Sequence, residues 1–413
     1  MIPANLSTWP MAKIEDFAAD EPRSITDGPF GSNLKTAHYT EQGPRVIRLQ
    51  NIGDGRFIDE RAHISDEHYD KLKAHSVEAG DVVIASLGND LPRACTVPSW
   101  LGPAIVKADC IRLRPAEDVD GRYVMYMLNA PQSRDAVKDM VHGVGRPRLG
   151  LRVIRNIEIP RAPLDEQQRI VEAVEEQFSR LDAGVGSLRR AKRNLAGLRA
   201  AILRATFEGI PTAPLADRLR EPLRNGRSAK RSAGGGVRVL TLSAVTGGDF
   251  SESNTKLVDL VPDDVADLWL EPGDILIERS NTSELVGTAA LYRGEPGWAI
   301  FPDLLIRVRV NDEIDARFLE LCLQSPPLRQ YFRSRAKGIS GSMPKIDQAT
   351  VADAPVPSVP LQEQLAIVAA ADRQLSIVRA VQASIESGLA HSVWLRRAIL
   401  RDAFGGRLAV RTK

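Results

Sequence analysis

Two stretches of the chain carry apolar residues at alternating steps of three and four. Each opens just after a Pro-x-x-Pro-Leu-x-Glu-Gln segment. In the first, Val171, Val174, Phe178, Leu181, Val185, Leu188, Leu195 and Ile202 follow Pro163; in the second, Val368, Ala371, Leu375, Val378, Ile385, Leu389 and Ile399 follow Pro360. This spacing predicts two helices of about 40 residues, each about 60 Å long, with a heptad seam along one side. Neither seam can stay in water, and the two helices most simply cover each other in an antiparallel pair. Elsewhere the apolar runs are short. Residues 46–49, 81–85 and 104–113 are apolar or alternating segments bounded by Gly, Pro and Asp, as strands are. Residues 123–127 and 318–323 predict further helices, and the Gly/Ser/Arg-rich residues 224–236 predict a mobile loop.

The two seams belong to an internal repeat. Pro160-Arg-Ala-Pro163-Leu164-Asp-Glu166-Gln167 overlays Pro357-Ser-Val-Pro360-Leu361-Gln-Glu363-Gln364 at an offset of 197, which holds without a gap to Phe207 and Phe404. Roughly 20 of about 50 aligned positions are identical, far above chance. Weaker matches precede them. Residues 46–52 and Glu78-Ala-Gly80-Asp81 meet residues 239–245 and Glu271-Pro-Gly273-Asp274 at an offset of 193. Asp120-Gly-Arg122-Tyr123 meets Asp315-Ala-Arg317-Phe318 at 195, and the openings pair Pro10-Met11-Ala12 with Pro214-Leu215-Ala216. The chain is two copies of one unit, each a diverged globular part followed by a similar helix. The expected architecture is α+β: a first β-rich domain (1–158), a central helical spacer (159–210), a second β-rich domain (211–355) and a distal helical spacer (356–413). An antiparallel helix pair would set the two domains at opposite ends of a rod, related by a pseudo-twofold axis.

Composition narrows the class without choosing a partner. The 413 residues are 43% hydrophobic and 26% charged, as in soluble globular chains, and no uncharged apolar run is long enough to cross a membrane. A cytoplasmic protein is expected. The three cysteines (Cys95, Cys110, Cys322) are far apart and include no CxxC, which argues against a disulfide framework or a cysteine-rich zinc site. Basic and acidic residues nearly cancel at 55 against 53, but only 12 of the basic residues are lysine. Arginine suits bidentate recognition of phosphate and guanine, although a GC-rich genome also writes arginine everywhere.

Catalytic motifs are missing. There is no GxxxxGK[ST] phosphate loop, no HExxH and no FxGxG-type cofactor loop. Ser325-Pro-Pro-Leu328 lacks the aromatic that base methylation would stack on a flipped base. Gly143-Val-Gly145-Arg-Pro-Arg-Leu-Gly150 follows a helix instead of a strand, and His63, His68 and His75 read as part of a solvated helix. What remains suits binding. Asp27-Gly28-Pro29-Phe30-Gly31-Ser32-Asn33 is a polar turn that can bring Ser32, Asn33 and Lys35 to a surface. Arg45, Arg48, Gln50 and Asn51 offer base-edge donors and acceptors. His142, Arg146 and Arg148 in the first copy answer to Lys337, Ser340, Ser342 and Lys345 in the second, and Arg224, Arg227, Lys230 and Arg231 form a basic loop suited to phosphate.

These pieces resemble the specificity subunit of type I restriction–modification enzymes, along the whole chain. The carriers are residues 27–33 with 45–52, Gly80-Asp81, Gly145-Arg-Pro-Arg-Leu149 and the doubled Pro-x-x-Pro-Leu-x-Glu-Gln. The resemblance implies two target-recognition domains, each reading half of a split double-stranded DNA sequence, with the helices setting the spacer. It also implies a non-catalytic chain. S-adenosylmethionine, ATP and Mg would belong to partners: adenine methyltransferase subunits, two of them, and restriction/translocase subunits. The second copy departs from the family at Arg220-Glu-Pro-Leu-Arg-Asn-Gly226, where no Asp-Gly-Pro-Phe-Gly loop is found. Two readings from other classes stay open: a structural or adhesin-like coiled-coil protein, and a catalytic methyltransferase.

Overall fold

A computed structural model describes residues 9–141, 143, 147–232, 235–338 and 343–405. The chain divides into two units, Met1–Leu188 with Ser387–Lys413, and Arg189–Glu386. Both mix strands and helices, and both long helices form, over Leu164–Phe207 and Leu361–Ala403.

In the first unit, Ile25–Asp27, Cys110–Leu113, Val82–Ala85 and Arg93–Thr96 build an antiparallel four-stranded sheet in that order. A second sheet orders His63–Ile64, Tyr39–Ile47, Ala104–Val106 and Ser76–Val77, with the middle pair parallel. Residues 104–113 are therefore not one strand. Asp109 takes a positive φ of 67° and turns the chain from one sheet into the other. Each half of that segment is wholly buried, which hides the break from a hydrophobic pattern. Asp120 caps the helix Gly121–Asn129, and the residues from Tyr123 to Asn129 face the core.

The second unit repeats the plan with fewer strands. Arg224–Asn225, Leu305–Val308, Ile275–Glu278 and Ala289–Leu291 form the antiparallel sheet, and Val237–Leu240 pairs with Thr255–Val258. Val239 still bridges Ile300 in parallel, as Val46 pairs with Ile105. Asp315 caps Ala316–Leu323. Part of the segment expected to be a mobile loop is thus a sheet strand, with Arg224 opposite Arg307 and Asn225 opposite Ile306.

Each unit is closed by a short antiparallel ribbon, Met11–Lys13 against Glu158–Pro160 and Thr212–Pro214 against Pro355–Pro357. Ala12 faces Ile159 and Ala213 faces Val356, so the openings correspond at an offset of 201. The Pro10/Pro214 alignment is three residues out of register; it matched a chance Pro-x-Ala, whereas backbone pairing matches Ile14 with Leu215.

The doubled Glu-Gln motif has a structural reason. Gln167 is buried, takes the Asp120 N–H at 2.9 Å on its amide oxygen and donates to the Ala162 and Asp118 carbonyls at 2.8 and 3.2 Å. Gln364 repeats this, accepting from Asp315 N–H at 2.8 Å and donating to Val359 and Glu313 at 2.8 and 2.9 Å. One side chain ties the start of each long helix to the cap of the shorter domain helix.

The seam residues divide their work. Val171, Val174 and Phe178 are buried in the domain core of the first unit, Phe178 edge-on to Tyr126 at 5.7 Å. Leu181, Val185 and Leu188 are half-buried, and Leu188 packs beside Gly388 of the second helix. In the second unit Leu375, Val378 and Ile385 are buried, while Val368 and Leu389 (the latter already in the first unit) are half-buried. Ile202 and Val368 pack on Leu203, Leu321, Ala371 and Leu375. Within each unit the initial part of one long helix runs against the final part of the other, the antiparallel pairing expected. The seam is not purely helix to helix, because its N-terminal turns anchor the domain.

All three cysteines are buried and free. Burial pushes the Cys95 and Cys110 thiols up to about 12, and Cys322 moves the same way. A thiol reagent at neutral pH should therefore modify none of them in the native chain and all three in denaturant. Native modification of any one would mean that its sheet or helix opens locally.

Candidate nucleic-acid interface

The clearest site-level correspondence between the units lies at one sheet edge. Asp27 sits opposite Ile111, and Gly28 N–H donates to Cys110 at 3.2 Å. Asn225 sits opposite Ile306, and Gly226 N–H donates to Leu305 at 3.3 Å. A Cβ on Gly28 would lie 2.1 Å from the Lys107 carbonyl carbon, and one on Gly226 would lie 2.0 Å from the Phe301 oxygen. Only glycine lets either segment pass this close to the neighbouring backbone. Asn225-Gly226 therefore takes the place of Asp27-Gly28, and the basic residues 227–231 follow where residues 29–33 follow in the first unit.

In the first unit Ser32 and Asn33 are exposed on the turn Gly31–Asn33, and Lys35 is exposed beside it, its N–H donating to His38 at 3.1 Å. Phe30 stands out at 46% exposure, with the Arg148 guanidinium 5.9 Å from its ring centroid. Arg148 also pairs with Asp109 at 2.8 Å and bridges Leu87 through its backbone. The fold thus joins the glycine loop to the segment before the first long helix. His142 and Arg146 of that segment lie outside the described residues.

The second unit builds the same corner from other side chains. Lys345 bridges Ser280 as Arg148 bridges Leu87. Lys337 and Lys345 exchange backbone hydrogen bonds at 2.8 and 2.9 Å, and both are exposed. Ser340 and Ser342, between them, lie outside the described residues. Ser228 of the basic loop donates to the Asp303 carboxylate, and Arg279 donates to the Asp303 carbonyl at 3.4 Å. Lys230 and Arg231 are exposed, Arg227 donates to Asp264 at 3.4 Å, and Arg224 pairs with Asp267 at 2.5 Å.

The group from Arg45 to Asn51 is less available. Arg45 is 11% exposed and pairs with Asp59 at 2.6 Å, which holds the Asp59 carboxyl below its usual range. Arg48 is half-buried and donates to Arg61 at 3.3 Å, while Gln50 is exposed. Asn51 is buried, accepts from Arg48 N–H and donates to Ile58 and Glu60 at 2.8 and 2.7 Å. It holds the turn Leu49–Asn51, and its amide has no face left for a base edge.

Several surface residues at the first corner lacked a sequence signal. Lys107 lies 5.5 Å from the Tyr39 ring, and the His38 and His68 rings meet at 4.2 Å, tilted by 41°. The histidines do not share a helix. His68 lies on Asp66–Lys71, His63 reaches Gly43 O from a strand, and His75 donates to Asp27 O at 2.7 Å, tying down the glycine loop. Among the described residues no group of three or more His, Cys, Asp or Glu could hold a metal, and no helix is long and apolar enough to cross a membrane.

No family model matches the chain. It is similar to the EcoKI specificity subunit of Escherichia coli K12, 24% identical over 392 residues that span 88% of this chain and 82% of the relative. The StySPI specificity subunit of Salmonella potsdam is likewise 24% identical over 391 residues, with the same coverage. In fold, a chain from a structure on complex assembly and conformational transition of the type I R-M system matches with a TM-score of 0.70. It is 19% identical and covers 97% of this chain and 98% of that one. The HsdS subunit of Thermoanaerobacter tengcongensis matches at 0.53, also 19% identical, with 98% of both chains covered. With its doubled motif, its paired long helices and similarity along most of its length, this chain is a relative of the type I restriction enzyme specificity subunits.

Proposed function

We propose that the chain is the DNA-recognition subunit of a type I restriction–modification complex. Each globular domain reads one half of a bipartite double-stranded target. The long helices fix the spacer between halves and dock two adenine methyltransferase subunits together with the restriction/translocase subunits. The chain itself does no chemistry and works in the cytoplasm; S-adenosylmethionine, ATP and Mg belong to its partners. The observation that carries this reading is the shared corner. Two domains hold a glycine loop at the same strand end but furnish it differently, with Phe30, Ser32, Asn33 and Arg148 in one and Arg227, Lys230, Arg231 and Lys345 in the other. Equal scaffolds with unequal side chains are what two different half-sites require.

Phosphate contact predicts a salt signature. Each cation that neutralises a phosphate contributes about 0.9 to the slope of log K against log salt. Replacing Arg227, Lys230 and Arg231 by alanine together should lower that slope by roughly 2–3 for a target duplex and weaken binding to all sequences. Titrations at several salt concentrations measure it. An unchanged slope would remove the basic loop from the interface, and no salt-dependent duplex binding at all would favour the structural coiled-coil reading.

A further inference from the structure

The second unit holds an excess of positive charge that the first unit neutralises. At an offset of 197, Asp182 of the first long helix corresponds to Arg379 of the second, and Arg396 corresponds to Arg199. In the first unit Arg396 pairs with Asp182 at 2.6 Å and lies over the Phe178 ring at 4.2 Å. The nearby Arg122 is held between Asp120 at 2.8 Å and Glu175 at 3.1 Å. Every guanidinium there has a carboxylate.

The corresponding corner of the second unit has four guanidinium groups, Arg199, Arg293, Arg317 and Arg379, around two carboxylates. Glu320, buried, takes Arg293 at 2.8 Å and Arg317 at 2.5 Å; Asp372 also takes Arg317. Arg199 is left with the amide oxygen of Gln324. Burial, Arg317 and Arg379 hold its pKa below the usual arginine range. Arg379 is exposed, and among the described residues its side chain makes no hydrogen bond or close ion pair, acting on Asp372 only through its charge. Arg293, Arg317, Asp372 and Arg379 line a cavity of about 530 Å³.

We propose that this cavity is an oxyanion site, taking a phosphate-class group between Arg379 and the outer faces of Arg293 and Arg317. Guanidinium forks match tetrahedral oxyanions in bidentate geometry. A dianion here would offset the two positive charges that four guanidinium groups and two carboxylates leave over. The inference does not depend on the DNA-reading role.

The test uses the full chain and inorganic pyrophosphate, titrated calorimetrically against a chloride background at constant ionic strength. Saturable one-to-one binding is expected. Arg379→Asp gives Arg199 the partner that Arg396 already has, so the variant should keep its fold while its affinity falls at least about tenfold. Arg293→Gln, at a side chain that is 57% exposed, gives a second reading in the same direction. Competition by a short DNA duplex would identify the bound ion as a stand-in for a backbone phosphate, and its absence would identify a free ion. Equal affinity in wild type and both variants, or no saturable binding in wild type, overturns the proposal.

Discussion

Exchanging residues 211–355 for the matching segment of a specificity subunit with a different second half-site should rewrite one half of the methylated sequence and leave the other intact. The old site should lose methylation altogether, since a half-site with several wrong bases costs about 1–3 kcal/mol per base pair. The structure gives the exchange favourable ends. Thr212 lies opposite Pro357 and Ser358 N–H donates to Pro211 O at 2.8 Å, so the segment leaves its ribbon beside the point where it entered. Carrying the junction on to residue 357 keeps Pro355–Pro357 in one piece. Methylome sequencing of cells with the exchanged gene is the measurement. Both halves changing together would show that the domains do not read independently.

Replacing Gln364 by leucine should destabilise the second unit by about 2–4 kcal/mol. The volume is nearly kept, but the Asp315 N–H and the Val359 and Glu313 carbonyls lose their partner in a site that is 2% exposed. Gln167→Leu should do the same to the first unit through Asp120, Ala162 and Asp118. Denaturant unfolding should show a lower midpoint for each, with the slope unchanged. Midpoints like that of wild type would mean that the repeated glutamine does not hold helix to domain.

The strongest features of the fold were legible because they are periodic or repeated. The seam gave both long helices, which span 44 and 43 residues, and the offset of 197 gave the buried glutamines their equivalence. Legibility failed where the two copies differ in length. Asp27-Gly28 and Asn225-Gly226 share one residue type in two and stand 198 apart, between stretches aligned at 201 and 193. The ladder partners Ile111 and Ile306, with the close backbone approach of Gly28 and Gly226, show them to be one position. Asn51 misled for a different reason. An amide beside two arginines looks the same in sequence whether it points at a base or at its own backbone, and burial alone distinguishes the two. The corner formed by Phe30 and Arg148 joins residues far apart in the chain, and local patterns carry no trace of it.

The first unit is discontinuous, and this matters while the chain is being made. Gln132 bonds to Arg401 O at 3.0 Å, Tyr123 stacks edge-on to Phe404 at 5.7 Å, and Leu400, Ala403 and Phe404 complete the cluster that buries Ile170 and Val174. All of those closing residues leave the ribosome after the whole of Arg189–Glu386, which is contiguous in the chain. At 5–20 residues per second, the roughly 200 intervening residues keep an apolar face of the nascent first unit uncovered for on the order of 10–40 s. The unit translated first is thus the last to finish. A message cut short just past Glu386 would release a complete second unit attached to a half-open first one, a natural substrate for chaperones and proteases.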